Sequence, residues 1–405
     1  MPAPDPLQHA MPESSTGRSR ISSSRRISAL DGLRGLAVVL VALGHAGGLL
    51  WPRQPIDSVP VLRGFFGGGA VEIFFIVGGL IVTRGLLREH QLGVLDPVRF
   101  YLRRLVRLGV QLVPLVLVIV LIHHLDPTDP WTDRGTYLTA AHTLTHTSNV
   151  WGASHVLELR SDLGHLWYLS VQQQVYLALP LVILLLARSQ RALAGLLAAG
   201  IVAVTVWRYH VLEHEGWLIA TISTLTRADG VLFGALIAVT LLWWRRWSRF
   251  AGTLMAVTAV GLLVLMASLH ELPELAFLRE WGIAFNLTAS VLVLAIYLAR
   301  QSTAVGRVLS LPLLTYLGRA SLAIFVWHLP IFTVVARHTG DWDWVTRTVL
   351  GVTILAAVVL VTHRWIEEPT RRWLATHLRP PESPTHPAAA PPLQPETAAP
   401  VGGGR

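Results

Sequence analysis

Ten apolar stretches alternate with short polar segments between residue 28 and about residue 374. They cover roughly 30–50, 66–87, 105–125, 166–187, 192–209, 219–243, 252–269, 282–300, 313–336 and 345–365. Most approach the ~20 residues a helix needs to cross the hydrocarbon of a bilayer. The stretches are apolar on all sides, with no narrow stripe and no strict alternation. The pattern therefore predicts an all-α, polytopic membrane protein of about ten transmembrane helices. Pro114, Pro180 and Pro330 fall inside stretches and are expected as kinks, which membrane helices tolerate when neighbours satisfy the freed backbone. Residues 1–27 are Ser/Arg-rich and residues 380–405 Pro/Ala-rich, so both are expected as disordered cytosolic tails around a transmembrane domain at 28–374. Ser24-Arg25-Arg26 looks like a twin-arginine export signal, but the run that follows holds Arg34 and His45 and lacks a small-x-small cleavage site. It reads as a retained first span.

Composition sharpens this picture. Of 405 residues, 52% are hydrophobic and 14% charged, with a mean hydropathy of +0.52. That leaves too little polar surface to coat water-soluble domains, and it excludes disorder or a collagen-like repeat for most of the chain. The net charge is +9 and all 33 basic residues are arginine. These arginines sit at the ends of apolar runs and form no single basic stripe, which argues against nucleic acid as a partner. Alternating ten spans from a cytosolic N-terminus puts 22 arginines inside and eight outside, so both termini are expected in the cytosol and the protein in a cell membrane, the bacterial inner membrane foremost. No cysteine is present, which excludes a disulfide, a thiol nucleophile and a thiolate metal site.

Ionisable residues inside spans are costly and mark function. Arg34 and His45 lie eleven residues apart on the first span. At 100° per residue that is three turns plus about 20°, so both share one face, about 16 Å apart along the axis. Arg34 alone also suits a snorkelling topology anchor, and His45 a helix–helix hydrogen bond. Glu72 opens the second span and is a candidate partner for an arginine or histidine of the first, or a carboxylate left in interfacial water. Arg103, Arg104 and Arg107 follow that span, and the i,i+3 pair Arg104/Arg107 suits a phosphate, a lipid headgroup or simply the cytosolic face. His165, Trp167, Tyr168, Ser170, Gln172 and Gln173 cap the fourth span, where successive glutamine amides need partners. The aromatics also suit an interfacial belt. Arg227 and Asp229 at i,i+2 do not face each other, so each is expected to pair across helices. Arg319 and His328 stand in the ninth span. The longest outer segment, 126–165, has room for a short helix or a re-entrant piece over the site. His142/His146 and His210/His214 are spaced for two metal ligands each, but no HExxH accompanies them and no metal is expected.

Six segments in this order resemble the acyltransferase 3 family of integral membrane acyltransferases: LDGLRGLAVVLVALGH, AVEIFFIVGGLIVT, FYLRRLVRL, HLWYLSVQQQVYL, YLGRASLAIFVWHLPIF and RWIEEPTRRW. The resemblance implies transfer of an acyl group from acyl-CoA to a hydroxyl. It also implies that His45 is catalytic, that Arg34 is essential and that Arg104 and Arg107 serve the CoA side. Two positions depart from the family pattern. Gln172 stands where the family has Glu in Ser-Val-Glu, and Gly78 where it commonly has Ser before Gly. Glutamine cannot ionise, so Glu72 and Asp162 are the expected replacements for a family carboxylate.

The function expected is therefore a membrane O-acyltransferase. No cofactor is permanently bound, and acyl-CoA, acetyl-CoA foremost, serves as donor. The acceptor is a hydroxyl of a carbohydrate, glycolipid or secondary metabolite, and the remaining partner is the lipid bilayer. Catalytic roles are expected for His45, Arg34, Glu72 and Gln172, and donor binding for Arg103, Arg104 and Arg107. Substrate contacts are expected from His165, Trp167, Ser170, Gln173, Arg227, Asp229, Arg319 and His328. The alternatives are a glycolipid or small-acid transporter and an inactive acyl-CoA-binding relative.

Overall fold

A computed structural model of the chain describes residues 27–52, 64–65, 69–269, 272, 275–299 and 303–378. Both expected tails lie outside these residues, except Ile27. Among the described residues there is no strand, and the helices are α1 Ser28–Leu49, α2 Ala70–Gln91, α3 Pro97–Leu125, α4 Asp133–Leu144, α5 Ser148–Ser154, α6 Trp167–Leu186, α7 Gln190–His214, α8 Trp217–Ile222, α9 Thr224–Arg227, α10 Asp229–Trp244, α11 Ala251–Ser268, α12 Glu280–Ala299, α13 Ala304–Leu309, α14 Pro312–Arg319, α15 Ser321–His338, α16 Trp344–Thr362 and α17 Glu368–His377. Local chemistry sets several starts. Asp96 accepts from the Arg99 N–H ahead of Pro97, and Asp343 accepts from Val345 and Thr346 N–H groups at the head of α16. Large apolar side chains such as Leu117, Leu185, Val202 and Val257 remain exposed, a belt suited to lipid and not to water.

Nine helical runs among the described residues are long and apolar enough to cross a membrane. The sequence pattern separates ten, and the difference lies in the 40-residue run 229–268. Its halves α10 and α11 are joined by a 3-10 turn, Arg245–Phe250, and run in opposite directions. α10 lies alongside α2 in parallel: Gly79 packs on the Val231 carbonyl and Gly234 on the Ile76 carbonyl, so closely that no Cβ would fit at either glycine. α12 also runs with α2, with Phe285 beside Gly69 and Arg84 over the Tyr297 ring at 4.8 Å. α11 runs against α12, since the Trp281 indole donates to Leu265 O at 2.7 Å while Gly252 meets Thr303.

Two expected spans are broken. In 219–243, Ser223 takes extended backbone (ψ 141°) between α8 and α9, and Asn149 Nδ2 bonds the nearby Ile222 carbonyl at 3.2 Å. In 313–336, Ala320 (ψ 2°) separates α14 from α15. The segment between α3 and α6 contains α4, α5 and a 3-10 turn, Ser161–Leu166. Part of it enters the bundle. Gln174, two turns into α6, donates to His146 O and Asn149 Oδ1, both at 2.9 Å, and receives a hydrogen bond from Thr224 Oγ1.

Candidate active site

α1 and α15 run side by side in the same direction. Near one end Arg34 donates to Ser321 Oγ at 2.7 Å, and near the other His328 Nε2 stands 3.1 Å from His45 Nδ1. Arg34 and His45 thus mark the two ends of one face of α1. Val38 and Val41, between them on that face, are buried. At the histidine end three imidazoles gather, with ring centroids 4.9 Å apart for His45 and His328, 5.0 Å for His165 and His328, and 6.4 Å for His45 and His165. His328 is fully buried, His165 is 6% exposed, and His45 is partly open. His328 Nδ1 faces the Phe325 carbonyl at 2.8 Å and the Ile324 carbonyl at 3.1 Å, while His45 Nδ1 also faces Val41 O at 3.0 Å. His165 faces the backbone of Phe325 and Val326, although neither ring nitrogen makes a hydrogen bond of good geometry there. Phe325 and Tyr168 wall the cluster, their rings 5.2 Å apart.

From there a polar ladder descends α6. Tyr168, Gln172 and Tyr176 recur every four residues and so share a face. Gln172 Nε2 donates to Tyr168 Oη at 3.0 Å, and the Arg104 guanidinium lies 4.2 Å over the Tyr176 ring. Arg107 is close enough to feel the charge of both Arg34 and Arg104, and the Asp31 carboxylate lies 3.8 Å from Arg34. Concentrated positive charge at a half-buried position favours an anionic ligand. Gly78 closes the ladder from α2: a Cβ there would stand 2.5 Å from Tyr176 Oη and 2.9 Å from Gln172 Nε2.

Other expected site residues sit elsewhere. Arg103 is engaged by Glu89 at 2.7 Å and by Leu378 O at 3.2 Å, a tie between chain segments at the arginine end. Glu72 does not pair with the first helix as expected; its partner is Arg227, which lies 4.8 Å over Phe277 and 5.6 Å over Trp167. Asp229 binds Arg208 at 2.7 Å and Asn286 at 3.2 Å. These four charges form two buried ion pairs. Ser170 is buried against Ser148 Oγ at 2.8 Å, and Gln173 is half-buried with an unpartnered Nε2. Arg319 is exposed at the end of α14, because the helix break at Ala320 takes it out of the span. Asp162, weighed as a replacement carboxylate, is locked to Arg160 at 2.8 Å. His142 stacks on Trp151 and bonds Thr147, and His210 stacks on His214.

Residue-by-residue reading missed Tyr176, Ser321 and Arg160. The four-residue spacing of Tyr168, Gln172 and Tyr176 was the available signal for the first; nothing local marks the other two. Arg160 is completely buried and holds Asp129, Asp162 and Thr136 at 2.8–3.0 Å, while Arg337 binds Asp126 and Asp129. Asp126 is held well below the usual carboxylate range by hydrogen bonds from Thr128 against some desolvation, with Arg337 adding to the effect. Burial opposes the ionisation of Asp129, but hydrogen bonds from Arg160 and His123 outweigh it and hold this carboxyl low as well. The network fastens α4 and the 3-10 turn carrying His165 to the ends of α3 and α15.

A family model described as an acyltransferase domain matches residues 27–363. A protein of Komagataeibacter xylinus, provisionally named membrane-bound transacylase BcsY, is 28% identical over 342 residues, covering 82% of this chain and 79% of its own. A provisionally named peptidoglycan O-acetyltransferase of Bacillus subtilis, YrhL, is 27% identical over 86% of this chain but only 55% of its own. A provisionally named O-acetyltransferase of Staphylococcus aureus is 23% identical over 88% of this chain and 59% of its own. The chain thus spans little more than half the length of these last two relatives. No solved structure matches it. With six motifs in order and a match over most of its length, this chain belongs to the acyltransferase 3 family of acyl-group transferases.

Proposed function

We propose that the protein is a membrane O-acyltransferase that moves an acyl group, acetyl foremost, from acyl-CoA to a hydroxyl of an envelope glycan, glycolipid or secondary metabolite. The observation that carries this reading is the pairing of a guanidinium cluster and an imidazole cluster at opposite ends of one face of α1. Ten passes with both termini in the cytosol put Arg34, Arg104 and Arg107 on the cytosolic side, where they engage the phosphates of CoA. His45 lies in the outer half, acts as general base on the acceptor hydroxyl, and returns the proton to the leaving thiolate; such catalysis is typically worth ~10²–10⁴-fold. An imidazole suits the task because its unperturbed pKa, about 6.5, leaves it largely neutral near pH 7. His165, buried with its ring 6.4 Å from that of His45, is placed to hold the acceptor hydroxyl or the thioester carbonyl. The name of the Bacillus relative supports a cell-wall glycan as acceptor.

The carrier reading draws no support from the intramembrane charges, because Glu72, Arg208, Arg227 and Asp229 are buried and pair with one another. Mass spectrometry of envelope glycans and secreted metabolites from cells with and without the gene tests the proposal. Loss of an acyl increment with the gene is the expected result; unchanged acylation in every fraction counts against it.

A further inference from the structure

The three imidazoles are not equivalent, and their hydrogen-bond surroundings assign them different work. His328 is completely buried on α15, and its Nδ1 faces two backbone carbonyls, Phe325 O at 2.8 Å and Ile324 O at 3.1 Å. A carbonyl oxygen only accepts, so Nδ1 carries the proton. In neutral His328 this leaves the lone pair on Nε2, aimed at His45 Nδ1 3.1 Å away. His45 Nδ1 therefore faces two acceptors, His328 Nε2 and Val41 O at 3.0 Å, and must itself carry a proton. The lone pair of His45 is then on Nε2, the nitrogen that neither contact occupies.

Resting on the acyltransferase reading above, we propose that His328 is a positioning residue that, together with the Val41 carbonyl, fixes the Nδ1–H tautomer of His45, and so selects Nε2 as the base, and that it does not contact the substrate. The step balances without any further group. The acceptor oxygen bonds the acyl carbon as its proton passes to His45 Nε2. The carbon–sulfur bond then breaks, and the same proton leaves Nε2 for the thiolate sulfur. Throughout, His45 Nδ1–H stays directed at His328 Nε2, which steadies the transient imidazolium. A carboxylate commonly fills this orienting place beside a catalytic imidazole. Here the groups facing His45 are His328 from α15 and His165 from the 3-10 turn, with Tyr168 on α6 behind them. The nearest buried carboxylate on α2, Glu72, is engaged by Arg227. A neutral acceptor orients the ring without holding it as a permanent imidazolium.

The test compares His328→Phe and His328→Gln with wild type in purified full-length protein, using labelled acetyl transfer across a pH series. His328→Phe keeps an aromatic side chain but removes the acceptor. It is expected to lower kcat about 10–100-fold, by analogy with the groups that orient metal-bound imidazoles, with KM for both substrates unchanged and the acidic limb of the rate profile moved to lower pH. His328→Gln restores a neutral acceptor and is expected to recover most of the rate and the wild-type limb. A raised KM with normal kcat assigns His328 to substrate binding and overturns the proposal; so does a His328→Phe variant with wild-type kcat and profile. Should either variant fold poorly, 15N spectra of histidine-labelled wild-type protein decide instead. An Nδ1-protonated His45 coupled to a bare His328 nitrogen supports the assignment, and the opposite tautomer overturns it. Full activity in His45→Gln would instead remove the underlying acyltransferase mechanism, an outcome distinct from any of these.

Discussion

Gly78 on α2 and Gln172 on α6 face each other so closely that one added carbon at residue 78 would stand 2.9 Å from the Gln172 amide nitrogen. These are the two positions at which the chain departs from the Ser and Glu of its family's pattern. Their contact turns two separate departures into one. A hydroxyl at 78 could donate to a carboxylate at 172, whereas glycine leaves room for an amide that donates instead to Tyr168 Oη. Introduced alone, Gly78→Ser crowds Gln172 and Tyr176, and Gln172→Glu gives up the amide N–H that binds Tyr168. The pair is expected to be non-additive by about 1 kcal/mol or more, in the range of residues in contact. Thermal unfolding of both single variants and the double variant measures it; simple additivity would mean that the two positions are independent.

The arginines after the second span divide into different roles. Arg104 lies over Tyr176 within reach of the Arg107 charge, whereas Arg103 is consumed by Glu89 and Leu378 O. Arg104→Gln is expected to raise KM for acyl-CoA about 10–100-fold, the loss of a charge-assisted hydrogen bond of about 1.5–3 kcal/mol. It should leave KM for an acyl-pantetheine without the nucleotide nearly unchanged. Arg103→Gln is expected to lower Tm with little effect on either KM. Equal KM effects from both variants would contradict this division.

Glu72 gives a sharper contrast with the sequence-based expectation of a catalytic carboxylate. Its ion pair with Arg227 is buried, so Glu72→Gln leaves a guanidinium short of its counter-charge, a class of change that costs about 3–5 kcal/mol. Lower thermal stability with kcat retained in the folded fraction is expected. A folded, stable and inactive variant would return Glu72 to the catalytic centre.

The network around Arg160 sets an acid limit. Asp126 and Asp129 have depressed pKa values, so their contribution to stability is complete above the unfolded carboxylate value, about 3.9. It is lost as pH falls below that value towards the folded one. Tm is therefore expected to be flat in this respect between pH 5 and 8, by the usual range, and to fall in stronger acid. Asp129→Asn should flatten that acid fall while lowering Tm at neutral pH. An acid dependence unchanged in Asp129→Asn would show that other groups control it.

Much of this arrangement was legible in the sequence. The apolar runs gave the membrane helices, and the eleven-residue interval put Arg34 and His45 on one face. Arg245, Arg246 and Arg249 interrupt the apolar pattern and so marked the turn between α10 and α11, but periodicity could not show that the chain breaks at Ser223 and Ala320, because the expected spans ran through both places. Long-range partners were equally hidden. The spacing rule correctly denied an Arg227–Asp229 pair, but only packing reveals that Glu72 and Arg208 complete the two bridges. His328 was visible as an imidazole inside an apolar run, and its contact with His45, 283 residues away, was not.

The central claim is that His45 is the base for acyl transfer, and the most direct measurement follows labelled acetyl from acetyl-CoA to an envelope-glycan acceptor with purified wild-type and His45→Gln protein. Wild type is expected to label the acceptor. His45→Gln, folded and still binding acetyl-CoA, is expected to lose at least the ~10²-fold that general-base catalysis supplies. Transfer by His45→Gln at the wild-type rate would contradict the claim.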